Sequence, residues 1–235
     1  MRVIASAILL GLLSACNGAP VPQADFAVIS EGAATSLELC DLMPPAGITS
    51  CWSSIDADGA TEITCALTSG DGTVSYRGPA QETQHLVEAP GGLALTLVES
   101  PRDDAVTSFD PPLLAYPERL VAEWIDAAAA MRVNYIDPAR GERDAGKASL
   151  RSRVSGTARV RTPMGEFDTV VIESVFTAHL RLATAENIAE VYVAPGIGPV
   201  AEVLKRRVWV LGLPIQSRDA VVVRRNGPGP VGGGA

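Results

Sequence analysis

Apolar and polar residues alternate with period two through most of the second half of this chain. In "FDTVVIESVFTAHLRLAT", Val170, Ile172, Ser174, Phe176, Ala178, Leu180 and Leu182 share one face. The other face mixes Glu173, Thr177, His179 and Arg181 with Val171 and Val175, the pattern of a half-solvated antiparallel strand. "TARVRTP", "IAEVYVAP" and "PVAEVLKRRVWVLGLP" are Val-rich with the same period. Earlier strands are shorter. "TEITCALT" and "TVSYRG" flank Ser69-Gly70-Asp71-Gly72, and "QHLVEA" and "LALTLVES" flank Pro90-Gly91-Gly92, so both pairs predict hairpins. Their spacing predicts an antiparallel meander. "PRDDAVTSFDPP" then brings charge and proline, which suits a boundary between two β-units.

One segment supports two readings. In "ERLVAEWIDAAAAM", Leu120, Val121, Trp124, Ile125, Ala128 and Met131 recur at helical spacing, and the alanines favour a helix near 118–131. From Ile125 onward, however, Ala127, Ala129, Met131, Val133 and Tyr135 alternate as a strand would.

The first residues change the picture from fold to address. Arg2 is followed by an apolar run, Val3 to Leu13, that suits a secretory signal and is too short to span a bilayer as a helix. The run closes in Leu13-Ser14-Ala15-Cys16, which resembles the lipobox of bacterial lipoprotein precursors of the outer-membrane type. That resemblance implies a signal peptide over 1–15 and a diacylglycerol on the thiol of Cys16, with further acylation such as palmitate. Two or three acyl chains hold a protein firmly where one does not. Asn17, in place of an inner-membrane-retaining Asp, implies the outer membrane and its periplasmic face. Residues 16–36, rich in Ala, Pro, Gly and Gln, read as a flexible tether. A β-meander unit over 37–105, a C-terminal antiparallel β domain over 106–225 and a disordered Gly/Pro tail over 226–235 complete the expected organisation.

Charge and cysteines narrow the chemistry. The formal net charge of -8 becomes -9 once Arg2 is removed with the leader, which argues against nucleic acid or anionic headgroups as partners. Beyond Cys16 stand Cys40, Cys51 and Cys65, so an oxidising compartment predicts one disulfide and one thiol left over. "CWSSIDADGATEITC" reads as a hairpin turning at Ala57-Asp58-Gly59, which would set Cys51 opposite Cys65; Cys40–Cys51 is the rival pairing.

The second half also carries a longer resemblance. "FDPPLLAYPERL…W", "VSGTARVRTPMGEFDTVVIE" and "VYVAPGIGPVAEV" together resemble a pattern of bacterial envelope proteins of unassigned function. In those, V-x-V-P-x-G-x-F-x-T precedes a strand ending in Trp/Tyr-x-Ala-Pro-Gly-x-Gly-x-Val. The likeness spans about Phe109 to Arg224, with Tyr192 where Trp is usual. It implies a curved, half-barrel-like antiparallel sheet and a strand around Trp124. Physically, Gly165 can take the positive φ of a turn and Phe167 anchors the next strand. Pro195, Gly196 and Gly198 tighten the connection between "EVYV" and "PVAEVL", so these two strands should pair. The family transfers no catalytic residue.

Catalytic signatures are missing from the sequence. There is no Gly-x-Ser-x-Gly elbow, no His-Glu-x-x-His and no phosphate-cradling loop, so neither a cofactor nor a metal is expected. His179, with Glu173 and Arg181 on its strand face, is a candidate polar cluster, but a surface histidine explains it as well; His85 stands at a strand start. "SIDADGATE" has Asp56, Asp58 and Gly59 of a calcium loop, yet Cys65 stands where the bidentate Glu belongs. "LKRRVW" turns Arg206 away from Lys205 and Arg207 and reads as solvated or paired charge. The expectation is therefore a mainly β, membrane-anchored, non-enzymatic binding or scaffold module, partnered by an envelope protein or an apolar ligand. A carrier of lipid in a half-barrel cavity is the alternative. A hydrolase ranks third and would need a cleft joining His179 to a carboxylate and a hydroxyl.

Overall fold

A computed structural model describes residues 26–33, 36–38, 49–56, 61–68, 73–77 and 83–224; within 49–77 the description is of backbone, with Cys51 the one side chain included. Fifteen strands make up almost all of it: β1 (Ala27–Gly32), β2 (Ser36–Glu38), β3 (Thr49–Asp56), β4 (Thr61–Thr68), β5 (Thr73–Arg77), β6 (Thr83–Ala89), β7 (Gly92–Ser100), β8 (Ala105–Pro117), β9 (Arg119–Val121), β10 (Ile125–Asn134), β11 (Glu142–Thr162), β12 (Gly165–Leu180), β13 (Ala183–Ala194), β14 (Gly198–Val210) and β15 (Leu213–Arg224). Two single-turn 3-10 helices, Pro101–Asp103 and Pro138–Arg140, are the only helices among the described residues. None of these is long and apolar enough to cross a membrane.

The chain is thus mainly β, as its period-two pattern predicts. The large sheet has the order β1-β11-β10-β8-β7-β6-β5-β4-β3-β15-β14-β13-β12, and β11 pairs with β12 as well. Strands second and last in that order are therefore neighbours in space, which requires the sheet to curl back on itself. Every pairing is antiparallel.

β11 is where the curl meets. From Ala148 to Thr162 its even-numbered residues are buried and its odd-numbered ones are not. The register with β12 shifts between Val154 and Gly156, so the buried residues before this bulge face inward and those after it pack on the other face; all six cations of β11, Arg143, Lys147, Arg151, Arg153, Arg159 and Arg161, are odd-numbered and escape burial. Two glycines let other backbone come close: a Cβ on Gly146 would meet the carbonyl oxygen of His179, and one on Gly156 that of Gly32. Arg153 bridges to Glu173 of β12 and, with Arg151, lies over the ring of Trp124. At the far end, Arg161 holds Glu166 below the usual carboxylate range, with Arg159 adding to the effect.

The core packs on both faces of the sheet: Val191 pairs with Ile172 on the inner face, whereas Tyr192 and Val171, one residue along, pair on the other, so the first and third clusters lie inside and the second outside. One cluster gathers Leu95, Phe109, Leu113, Met131, Leu150 and Phe176. A second gathers Val160, Tyr192, Val200 and Val223, with Phe26 packed against it. A third joins Val154, Ile172 and Val193 to Leu37 and Leu120, contributed by the two-stranded sheet β2–β9.

Three expectations differ from what is observed. No helix occupies 118–131: β10 runs from Ile125 to Asn134 with Ala129, Met131 and Val133 buried, and Trp124 stands just before it. β10 pairs with β11 along its whole length and with β8 over Ala130–Asn134, and that two-sided pairing outweighs the modest helix preference of alanine. The division at 105/106 falls inside the β8 region rather than between units. "PRDDAV" makes a tight turn whose strands pair from Ser100↔Ala105 onward, so the meander β3–β8 continues into the rest of the sheet. Finally, the stretch read as tether to residue 36 contains β1, which pairs with β11 from Ala27↔Arg161 to Gly32↔Thr157.

Candidate functional site

Two neighbouring hairpins end side by side at one edge of the curled sheet. Between β12 and β13 the turn is Arg181-Leu182; between β14 and β15 it is Leu211-Gly212. Leu211 donates its backbone N–H to the carbonyl of Leu182 (2.9 Å), tying the two tips together. Four aliphatic side chains stand in solvent there: Leu182 at 54% exposure, Leu211 at 73%, Leu213 at 68% and Ile215 at 53%. Val210 pairs with Leu213, so the second tip is a two-residue loop, with φ +52° at Leu211 and +79° at Gly212. Two positive φ values define the hairpin turn that favours Asn-Gly. A leucine there is strained locally and, being exposed, contributes nothing to the core.

Below the tips lies a cleft of about 680 Å³ on the face opposite the first core cluster. Its floor takes Thr177 and His179 from β12, Thr184 and Glu186 from β13 and Trp209 from β14; Leu182 and Leu211 form its rim. His179 Nδ1 lies 3.3 Å from the hydroxyl oxygen of Thr184. The cleft thus brings a histidine, two hydroxyls and a carboxylate together, but His179 makes its hydrogen bond to Thr184 and none to Glu186, the orienting contact a nucleophilic triad needs. The cluster of His179 with Glu173 and Arg181 does not form. Glu173 is engaged by Arg153 (2.6 Å), and Arg181 reaches Asp144 at 4.0 Å. His85 pairs with Glu99 (3.1 Å) on a partly exposed surface. Among the described residues no group of three or more His, Cys, Asp or Glu is placed to hold a metal ion.

The inner face carries polar groups that motif reading missed. Asn187, Arg206 and Arg218 stand directly opposite one another across β13, β14 and β15, all buried. Glu202 is buried on the same face of β14, and desolvation pushes its carboxyl up to about 7. Ser152 and Ser174 share a hydrogen bond of 3.2 Å across β11 and β12. Arg224, fully buried, donates from Nη1 to the carbonyl of Ile197 (2.6 Å), and burial lowers its pKa. The signal for Arg206 was present: alternation in "VAEVLKRRVWV" places it with Glu202, Leu204 and Val208, and that face is the buried one rather than a solvated one.

The motif residues sit at connections and core edges. Gly165 (φ +128°) opens β12 after a two-residue turn, and Phe167 follows, packed against the second core cluster. β13 and β14 pair from Ala183↔Val210 to Ala194↔Gly198, joined through Pro195-Gly196-Ile197, with φ +74° at Gly196 and +92° at Gly198. Tyr192 donates to Glu190 (3.3 Å), and burial, with the Glu190 charge, pushes its hydroxyl up to about 12. Cys51 is disulfide-bonded, and the β3–β4 register sets it opposite Cys65. Cys16, Cys40 and the turns at 57–60 and 69–72 lie outside the described residues.

No family model matches the chain, and no curated relative matches it. Among solved structures it is similar to a provisionally named lipoprotein from Parabacteroides distasonis, with a TM-score of 0.39 and 10% identity over 80% of this chain and 97% of that one.

Proposed function

We propose that this chain is a lipoprotein of the bacterial envelope, held by lipid on Cys16 and acting as a non-enzymatic binding module on the periplasmic face of the outer membrane. Leader length, the Leu-Ser-Ala-Cys ending and Asn17 support the address. The observation that carries the binding role is the exposure of four aliphatic side chains at and beside the two tips, Leu182, Leu211, Leu213 and Ile215, because exposed apolar side chains close together mark interaction surfaces. The partner is a membrane surface, an envelope protein or an apolar ligand.

The experiment is metabolic labelling with an alkyne palmitate in a Gram-negative host, followed by membrane fractionation. Label on the wild-type chain, absent from Cys16→Ala, supports the reading; unlabelled, fully soluble wild-type chain overturns it. A second reading, a lipid carrier, draws support from the small inner-face residues Ala148, Ala178, Ala189 and Ala220. An apolar mass released on denaturation in native mass spectrometry would favour it.

A further inference from the structure

From the two joined hairpin tips we infer a membrane-docking surface: Leu182, Leu211, Leu213 and Ile215 enter the apolar boundary of a phospholipid bilayer. This deepens the binding role proposed above by naming its partner.

Three observations converge. The first is that Leu211 serves neither the turn nor the core. Its φ of +52° suits Asn or Gly, and it is the most exposed large hydrophobic among the described residues, so local stability would favour replacing it. The second is the arrangement around it. Trp209 lines the cleft with Leu182 and Leu211, and Arg181 shares the turn with Leu182, so an aromatic and an exposed cation stand beside the aliphatic tips, residue types that suit a water–bilayer boundary.

The third is reach. Phe26, the first described residue, packs against Tyr192 of β13. Nine residues, 17–25, separate it from Cys16 and can span at most about 30 Å. Along β13, the nine residues Ala183 to Val191 cover about the same distance between the Phe26 contact and the tips. An acyl group on Cys16 and the leucine tips can therefore meet one bilayer plane. A second copy of this chain is the rival occupant.

The test uses the unlipidated chain, residues 17–235, which keeps every described strand, and zwitterionic phosphatidylcholine vesicles in a flotation assay. Wild type floats with the vesicles. Leu211→Asn lowers the partition coefficient at least about tenfold, as expected for removing one buried leucine, while raising the thermal midpoint because Asn fits the turn. Leu213→Ser lowers partition similarly, and Val87→Ser, exposed elsewhere, leaves it unchanged. Absence of flotation, or equal flotation of wild type and Leu211→Asn, overturns the inference. So does a concentration-dependent dimer abolished by Leu211→Asn without vesicle binding. Since this chain carries no acyl group, the result is independent of the labelling at Cys16.

Discussion

Phe26 sets its ring edge-on against Tyr192, 5.2 Å between centroids at 62°, joining the first described residue to a strand deep in the second half of the chain. The contact closes the second core cluster and holds the start of β1 beside β11. Phe26 is partly buried, so Phe26→Ala is expected to cost about 2 kcal/mol, below the range for fully buried phenylalanine. Urea unfolding measures it; a midpoint unchanged within error would show that the aromatic pair holds nothing in place.

Glu202 makes stability depend on pH. At acidic pH its carboxyl is protonated in folded and unfolded chains alike. As pH rises past the ordinary value of 4.5, the unfolded chain gives up the proton while the folded chain keeps it, until about 7. Stability contributed at low pH is therefore lost across that window, on the order of 3 kcal/mol, and the loss levels off above it. Glu202→Gln should remove this slope and be more stable than wild type at pH 8. Denaturant titrations from pH 4 to 8 compare the two, and parallel curves would refute the assignment.

The β3–β4 register predicts which cysteines pair. A non-reducing digest should contain a Cys51–Cys65 cross-linked peptide, with Cys40 open to iodoacetamide. Reduction should destabilise the chain by about 3 kcal/mol, the magnitude for a loop of about 15 residues. A Cys40–Cys51 peptide would instead assign the bridge to the loop before β3.

Ala130 separates strand from helix directly. It is exposed on β10 and paired with Asp110 on one side and Lys147 on the other. In that setting Ala130→Thr should stabilise by up to about 1 kcal/mol, since β-branched residues fit a pleated surface. In a helix the same change would destabilise. Thermal unfolding gives the sign.

Local alternation is written into the order of residues. Side chains in a strand point to opposite faces in turn, so the inward face of β12, the β6–β7 hairpin and the β13–β14 pairing were legible in the order of residues, while the bulge that switches the buried face of β11 was not. The same rule separated Arg206 from Lys205 and Arg207, but alternation does not say which face is buried when charges occupy both. Tertiary structure decided that, by curling the sheet until β11 and β12 met and enclosing the face that carries Asn187, Arg206 and Arg218. It also decided the fate of the alanine run: residues 125–134 prefer a helix alone and become a strand because β11 pairs with them along their whole length and β8 along the second edge from Ala130 to Asn134. The docking tip is of the same kind. Leu182 and Leu211 are 29 residues apart in sequence, and only the folding of two hairpins side by side brings them to one hydrogen bond.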